Sequence, residues 1–203
     1  MSNSLKALDK KISKRKQVYK PILDNPFTNE SRLWPLVNDH QVVWQSLQTT
    51  IVSQFKNLEG TPLDAWPWDL LFTFNDIVKH LSDDVGTSPK DPVLLFVCNK
   101  DSGVSSVMLQ QIPLLCFMSK VDVTLVQLPK NSYNVLADAL PTEDIFDGLL
   151  LIRCNDKLND KFVSQIKAKV EPLKFPWLND VKYQKTNVKL VKTSMPITHK
   201  LKK

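Results

Sequence analysis

The chain has 203 residues, 42% apolar and 24% charged, which suits one compact domain with appendages and a core needing no disulfide or structural metal. With 4 glycines against 13 prolines it lacks the means for several phosphate-cradling loops, which argues against a nucleotide-binding enzyme. The net charge of +6 divides as +6 over residues 1–20, +7 over residues 182–203 and −7 between them. Basic ends around an acidic body suit a polyanion, most often nucleic acid, the plainer reading being a pair of solvated tails.

In chain order, Leu5, Leu8 and Ile12 share one face of a predicted basic helix over 4–16. Pro21 and Pro26 then impose an extended stretch. Trp44, Leu47, Ile51, Phe55 and Leu58 step at helical spacing over 40–58, with Asn38 or Asp39 as cap. Residues 59–67 read as a loop, and 68–82 return to a helical pattern. After the polar breakers of 83–92 comes VLLFVC, 93–98, an unbroken apolar run of strand length, as in a strand buried on both faces.

Asp101 or Ser102 is placed to cap a helix over about 103–119, bent near 110–112 by Pro113. VDVTLVQL, 121–128, is a second strand, stopped by Pro129. Ser132 can cap a short helix to Leu140. LLLIRC, 149–154, is a third buried strand, and Asn159 caps a helix to about Val170. Residues 181–191 form a weaker, half-exposed strand. Buried strands alternating with helices predict βαβ crossovers and a three-layer α/β/α sandwich. The chain thus divides into a basic N-terminal arm, 1–30, a sandwich domain, 31–180, and a basic C-terminal tail, 181–203.

Chemistry is sparse. His40, His80 and His199 have no second ligand at metal spacing, so no metal and no cofactor are expected. Neither a P-loop nor a G-x-S-x-G elbow is present. Cys98, Cys116 and Cys154 lie in apolar runs and read as buried thiols of a reducing compartment. Asp83, Asp84, Asp144 and Asp147 read as solvated turn acids. Trp66 and Trp177 could stack on bases or pack against the body. No apolar run reaches the length of a membrane span, and the first residues lack the apolar stretch of a secretory signal. No membrane contact and no small-molecule ligand are expected.

Three motifs carry a resemblance: FTFNDIVKHL, 72–81; LLFVCNKD, 94–101; and QQIPLLCFM, 110–118. Together 69–154 resembles the superfamily of ribosomal proteins that bind RNA kink-turns. LDKKISKRKQVYKPILDNPFT, 8–28, KFVSQI, 161–166, and FPWL, 175–178, extend the likeness to a fungal family of protein subunits shared by ribonuclease P and ribonuclease MRP. The resemblance implies an α/β/α sandwich on a small mixed sheet of about three to five strands. It implies a noncatalytic, RNA-binding subunit working in the nucleus and nucleolus. The catalytic RNA of ribonuclease P and MRP would be its partner, together with other protein subunits, a large one among them. That RNA would cut 5′ leaders from tRNA precursors and sites in rRNA precursors.

Carried over by residue, Asn75 matches the family's Asn at the sheared G·A pairs, Asp76 stands for its Glu, and Lys79 matches the basic position that reaches phosphate. A helix start with free N–H groups suits such contacts. The family's Gly is Thr73 here, and the loop that meets an extruded base carries Glu143, Asp144 and Asp147. Acids there repel phosphate, so affinity is expected from the arm residues Lys10, Lys11, Lys14, Arg15, Lys16 and Lys20. KKISKRK, 10–16, also has the form of a nuclear import signal. A different reading is a protein-interaction scaffold docked on a larger subunit with little RNA contact, favoured by the acidic body and the Trp/Pro-rich 62–68.

Overall fold

The computed structural model describes residues 15–23, 33–82, 91–141, 145–175, 178 and 188–196. Their elements in chain order are β1 (Arg15–Leu23), α1 (His40–Thr50), β2 (Leu70–Leu71), α2 (Phe74–Ser82), β3 (Val93–Val97), α3 (Ser106–Leu109), α4 (Ile112–Met118), β4 (Val123–Gln127), α5 (Ser132–Ala139), β5 (Leu149–Arg153), α6 (Asp160–Lys167) and β6 (Val188–Pro196). Short 3-10 helices cover Val52–Leu58 and Leu63–Ala65. The chain divides into two compact units, one of residues 1–29 with 182–203 and one of residues 30–181.

The larger unit is built on a four-stranded mixed sheet of order β2-β5-β3-β4. All five side chains of β3 are buried. The alternation of a strand sends Leu94 and Phe96 to one face and Val93, Leu95 and Val97 to the other. On the first face they meet Val43, Leu47, Phe55, Leu136, Phe162 and Ile166, from α1, the 3-10 helix after it, α5 and α6. On the second they meet Ile77 and Leu81 of α2 and Leu109, Ile112 and Cys116 of α3 and α4. This is the three-layer α/β/α arrangement, since apolar strands with no wet face require helices on both sides.

Several local expectations meet corrections. Only β3 and β4 run parallel, through the crossover over α3 and α4, whereas β5 runs antiparallel to β3, with Leu95 opposite Leu151. The helical spacing of 68–82 gives way at its start, because Leu70 and Leu71 pair with Ile152 and Leu151 as an edge strand. The α1 helix ends at Thr50, and a 3-10 helix continues its apolar face through Val52 and Phe55. The helix over 103–119 is two helices. Pro113 sits in the first turn of α4, where its missing N–H costs nothing, and so marks a new start rather than a bend.

Asp101 caps a different helix from the one expected. Its carboxylate accepts from the backbone N–H groups of Asn131 at 2.5 Å and Tyr133 at 2.8 Å, at the start of α5. Asn159 caps α6 as its sequence context predicts, accepting from Lys161 N at 2.9 Å.

In the smaller unit, β1 and β6 form a two-stranded antiparallel ribbon in which Tyr19 faces Lys192 and Leu23 faces Val188. Arg15 and Lys16, expected at the end of a helix, are strand residues. Backbone pairing to a distant segment outweighs the local helical spacing. Residues 1–14, which carry the rest of that expected helix, lie outside the described residues, as do 181–187 of the expected last strand.

Replacing Phe96 by Ala should lower unfolding free energy by about 3–5 kcal/mol, read from urea denaturation, because a fully buried ring is lost from the central strand. A second prediction concerns pH. The Lys157 ammonium, 2.7 Å from Asp69 Oδ1, is the main influence holding the Asp69 carboxyl below its ordinary value, with the Asn155 amide adding to it. A depressed folded-state pKa stabilises above the ordinary carboxylate pKa, and that contribution is lost as pH falls through the folded value. The stability difference between the native chain and Asp69→Asn should therefore be present at neutral pH and shrink as pH falls below the ordinary carboxylate range.

Candidate nucleic-acid interface

The register of the ribbon sorts its side chains onto two faces. Arg15, Gln17, Tyr19, Pro21 and Leu23 share one face with Val188, Leu190, Lys192 and Ser194. Lys16, Val18, Lys20 and Ile22 share the other with Lys189, Val191, Thr193 and Met195. Neither strand carries an acid, so Arg15, Lys16, Lys20, Lys189 and Lys192 form a purely cationic set, and all five are exposed. Tyr19 is exposed to 60% and its hydroxyl accepts from the Gln17 amide at 3.1 Å. Pro21, Leu23, Val188 and Leu190 form an apolar half toward one end of the same face.

The unit of residues 1–29 and 182–203 holds 14 basic residues against 2 acids, and the sandwich unit holds 13 basic residues against 19 acids. The charge asymmetry of the sequence thus falls between the two units.

The start of α2 is arranged differently. Asn75, Asp76 and Lys79 are all exposed, at helical spacing on one side of the first turns. Two of the backbone donors there are already engaged. Thr73 Oγ1 donates to Asp76 Oδ2 at 2.6 Å, and Asp76 N donates to Thr73 Oγ1 at 3.3 Å, so the Thr73 hydroxyl caps one donor of the first turn while Asp76 holds that hydroxyl in place. Asp147 reaches over from the loop before β5, and its carboxylate accepts from Phe74 N at 2.8 Å. An internal carboxylate thus occupies the electropositive helix end to which a phosphate would bind. Asp147 is a helix cap rather than the solvated turn acid expected. It is aimed by Gly148, at φ +79°, where a Cβ would lie 2.5 Å from Val104 Cγ2.

Other residues singled out by their chemistry fall into place as structure. Trp66 is buried, with its ring 5.5 Å from Phe55 and its indole N–H donating to Thr61 O at 3.0 Å, so it is core rather than a base platform. Burial pushes the thiols of Cys98 and Cys116 up to about 12, which keeps them protonated at neutral pH. His40 Nε2 lies 3.4 Å from Lys100 Nζ, and burial, then that ammonium, holds the imidazole below its ordinary pKa. Among the described residues no three His, Cys, Asp or Glu side chains gather as metal ligands, and no helix is long and apolar enough to cross a membrane. Lys10, Lys11, Lys14, Asp83, Asp84, Glu143, Asp144, Trp177 and His199 lie outside the described residues.

Sequence reasoning singled out Arg15, Lys16 and Lys20 but neither Tyr19 nor the cross-strand partners Lys189 and Lys192. The one signal was β-branched content, with Val18, Ile22, Val188, Val191 and Thr193 standing among the polar residues of KQVYKPIL and VKLVKTSM, which suits strands.

Fold and surface together define a mixed-sheet α/β/α sandwich protein with a separate cationic ribbon. A family model described as RNase P subunit Pop3 matches residues 14–180. The chain is also 52% identical over 200 residues to a Saccharomyces cerevisiae protein described as "Ribonucleases P/MRP protein subunit POP3", with 98% of each chain covered. The chain belongs to the Pop3 family of ribonuclease P subunits.

Replacing Asp147 by Ala removes the acceptor for Phe74 N. It should lower stability by roughly 0.5–2 kcal/mol in urea denaturation, the range for losing a helix cap.

Proposed function

We propose that this chain is a noncatalytic, RNA-binding protein subunit of ribonuclease P and ribonuclease MRP. It positions RNA and neighbouring subunits while the RNA of the particle performs hydrolysis on tRNA and rRNA precursors. The observation that carries this reading is the end-to-end relation to the yeast subunit, at 52% identity. The cationic ribbon supplies the physical means. Five exposed cations on a backbone with no acid attract phosphates from any direction, and release of condensed counterions drives the binding.

The sandwich then acts as a shaped body for contacts with other subunits, where its net negative charge is no handicap. Asn75 and Lys79 offer polar groups to RNA beside the capped start of α2, whereas Asp76 and Asp147 tie down that start and repel phosphate. Lys10, Lys11 and Lys14 extend the basic stretch that includes Arg15, Lys16 and Lys20. KKISKRK, 10–16, supports import to the nucleus and a nucleolar place of work.

The affinity of the full chain for the RNA of ribonuclease P, followed from low to moderate salt, should give a log–log slope of about −4 if the five ribbon cations each meet a phosphate. Substituting Gln for both Lys189 and Lys192 should flatten that slope by about 2. An affinity indifferent to salt would sink this reading.

A further inference from the structure

One face of the ribbon has more than charge, and from it we infer a binding site for an unpaired RNA base, with the Tyr19 ring as the stacking platform and Arg15 and Lys192 as flanking phosphate contacts. This rests on the RNA-binding reading and sharpens it to a ligand class and a site. Tyr19 stands mid-ribbon, directly across from Lys192 and two positions along the same face from Gln17. The Gln17 amide donates to the Tyr19 hydroxyl at 3.1 Å, a contact with the rim of the ring rather than its π-face. Arg15 lies beyond Gln17 on the same face, so cations stand along the strand and across it from one exposed aromatic plane.

That arrangement of aromatic and backbone-tracking cations is what a single strand requires, because every base offers a π-face and successive phosphates lie on either side of it. A continuous A-form duplex keeps its bases stacked and paired, and its deep major groove is closed to side chains, so it could use the cations but not the ring. The opposite face carries Lys16, Lys20 and Lys189 with aliphatic neighbours and no aromatic, so it contributes charge without a platform. Charge complementarity argues for RNA as the occupant, since an acid-free ribbon with five cations has no use for them against a neutral protein surface. A two-stranded ribbon exposed on both faces is also marginal by itself in water and is stabilised by a ligand that covers it.

The test uses the full chain in fluorescence anisotropy at one fixed salt concentration. One probe is a labelled RNA 12-mer without secondary structure, the other a blunt RNA duplex of the same length. Tyr19→Val keeps a strong strand former while removing the ring, and Tyr19→Phe keeps the ring while removing the hydroxyl. The single strand should lose about 10-fold or more in affinity with Tyr19→Val and stay within about 2-fold of the native chain with Tyr19→Phe. Duplex affinity should change less than about 2-fold in either variant. Photocrosslinking of a 5-iodouridine-containing single strand should map to Tyr19.

Equal single-strand affinity for Tyr19→Val and the native chain would overturn the stacking site while leaving the RNA-binding reading standing. The same holds for a crosslink that maps elsewhere. A native chain that binds neither probe nor the RNA of ribonuclease P would instead bring down the broader reading. Intact RNA affinity in Tyr19→Val together with failure to enter the particle would reassign this face to a protein contact.

Discussion

The larger unit depends on a central strand with no wet face. Val93, Leu94, Leu95, Phe96 and Val97 are all fully buried, and such a strand exists only if apolar surface covers both sides of the sheet. The paired neighbours β4 and β5 satisfy its backbone. Helices α1, α5 and α6 close one face and α2, α3 and α4 close the other. The short strand β2 follows from the same constraint, because β5 presents an edge whose donors and acceptors need partners.

Charge is organised at a higher level than the core. Within the sandwich unit, carboxylates are put to structural work. Asp101 caps α5, Asp147 caps α2, and Asp69 holds Asn155 and Lys157. Acids used in this way give the body a negative balance and take up positions that an RNA phosphate could occupy. The described strands of the smaller unit carry no acid. Polyanion binding and internal capping compete for the same positive groups, and under the proposed function the two tasks fall to different units.

The start of α2 illustrates how a fold can use its own groups to fill a helix end. Asn75 and Lys79 are exposed beside it. The Thr73 hydroxyl accepts from Asp76 N and donates to the Asp76 carboxylate, and Asp147 accepts from Phe74 N. A helix end that is already neutralised offers little to a phosphate. The Pop3 family model spans both this motif and β1, so family membership by itself does not say which surface meets the RNA.

Periodicity and composition determine much about this protein. Uninterrupted apolar runs specify β3 and β5, because no other element of that length hides every side chain. Asn159 announces α6, because a cap acts on the donors next to it. The charge of the two ends is likewise a property of composition. Tertiary structure alone decided that β5 runs antiparallel, that Leu70 and Leu71 leave the helical pattern of 68–82 for an edge strand, and that Asp101 caps a helix thirty residues away. It alone decided that β1 and β6 pair, setting Tyr19 opposite Lys192. The physical reason is common to all four. Each depends on a hydrogen bond or a strand pairing between residues far apart in the chain, and local spacing carries no record of a distant partner.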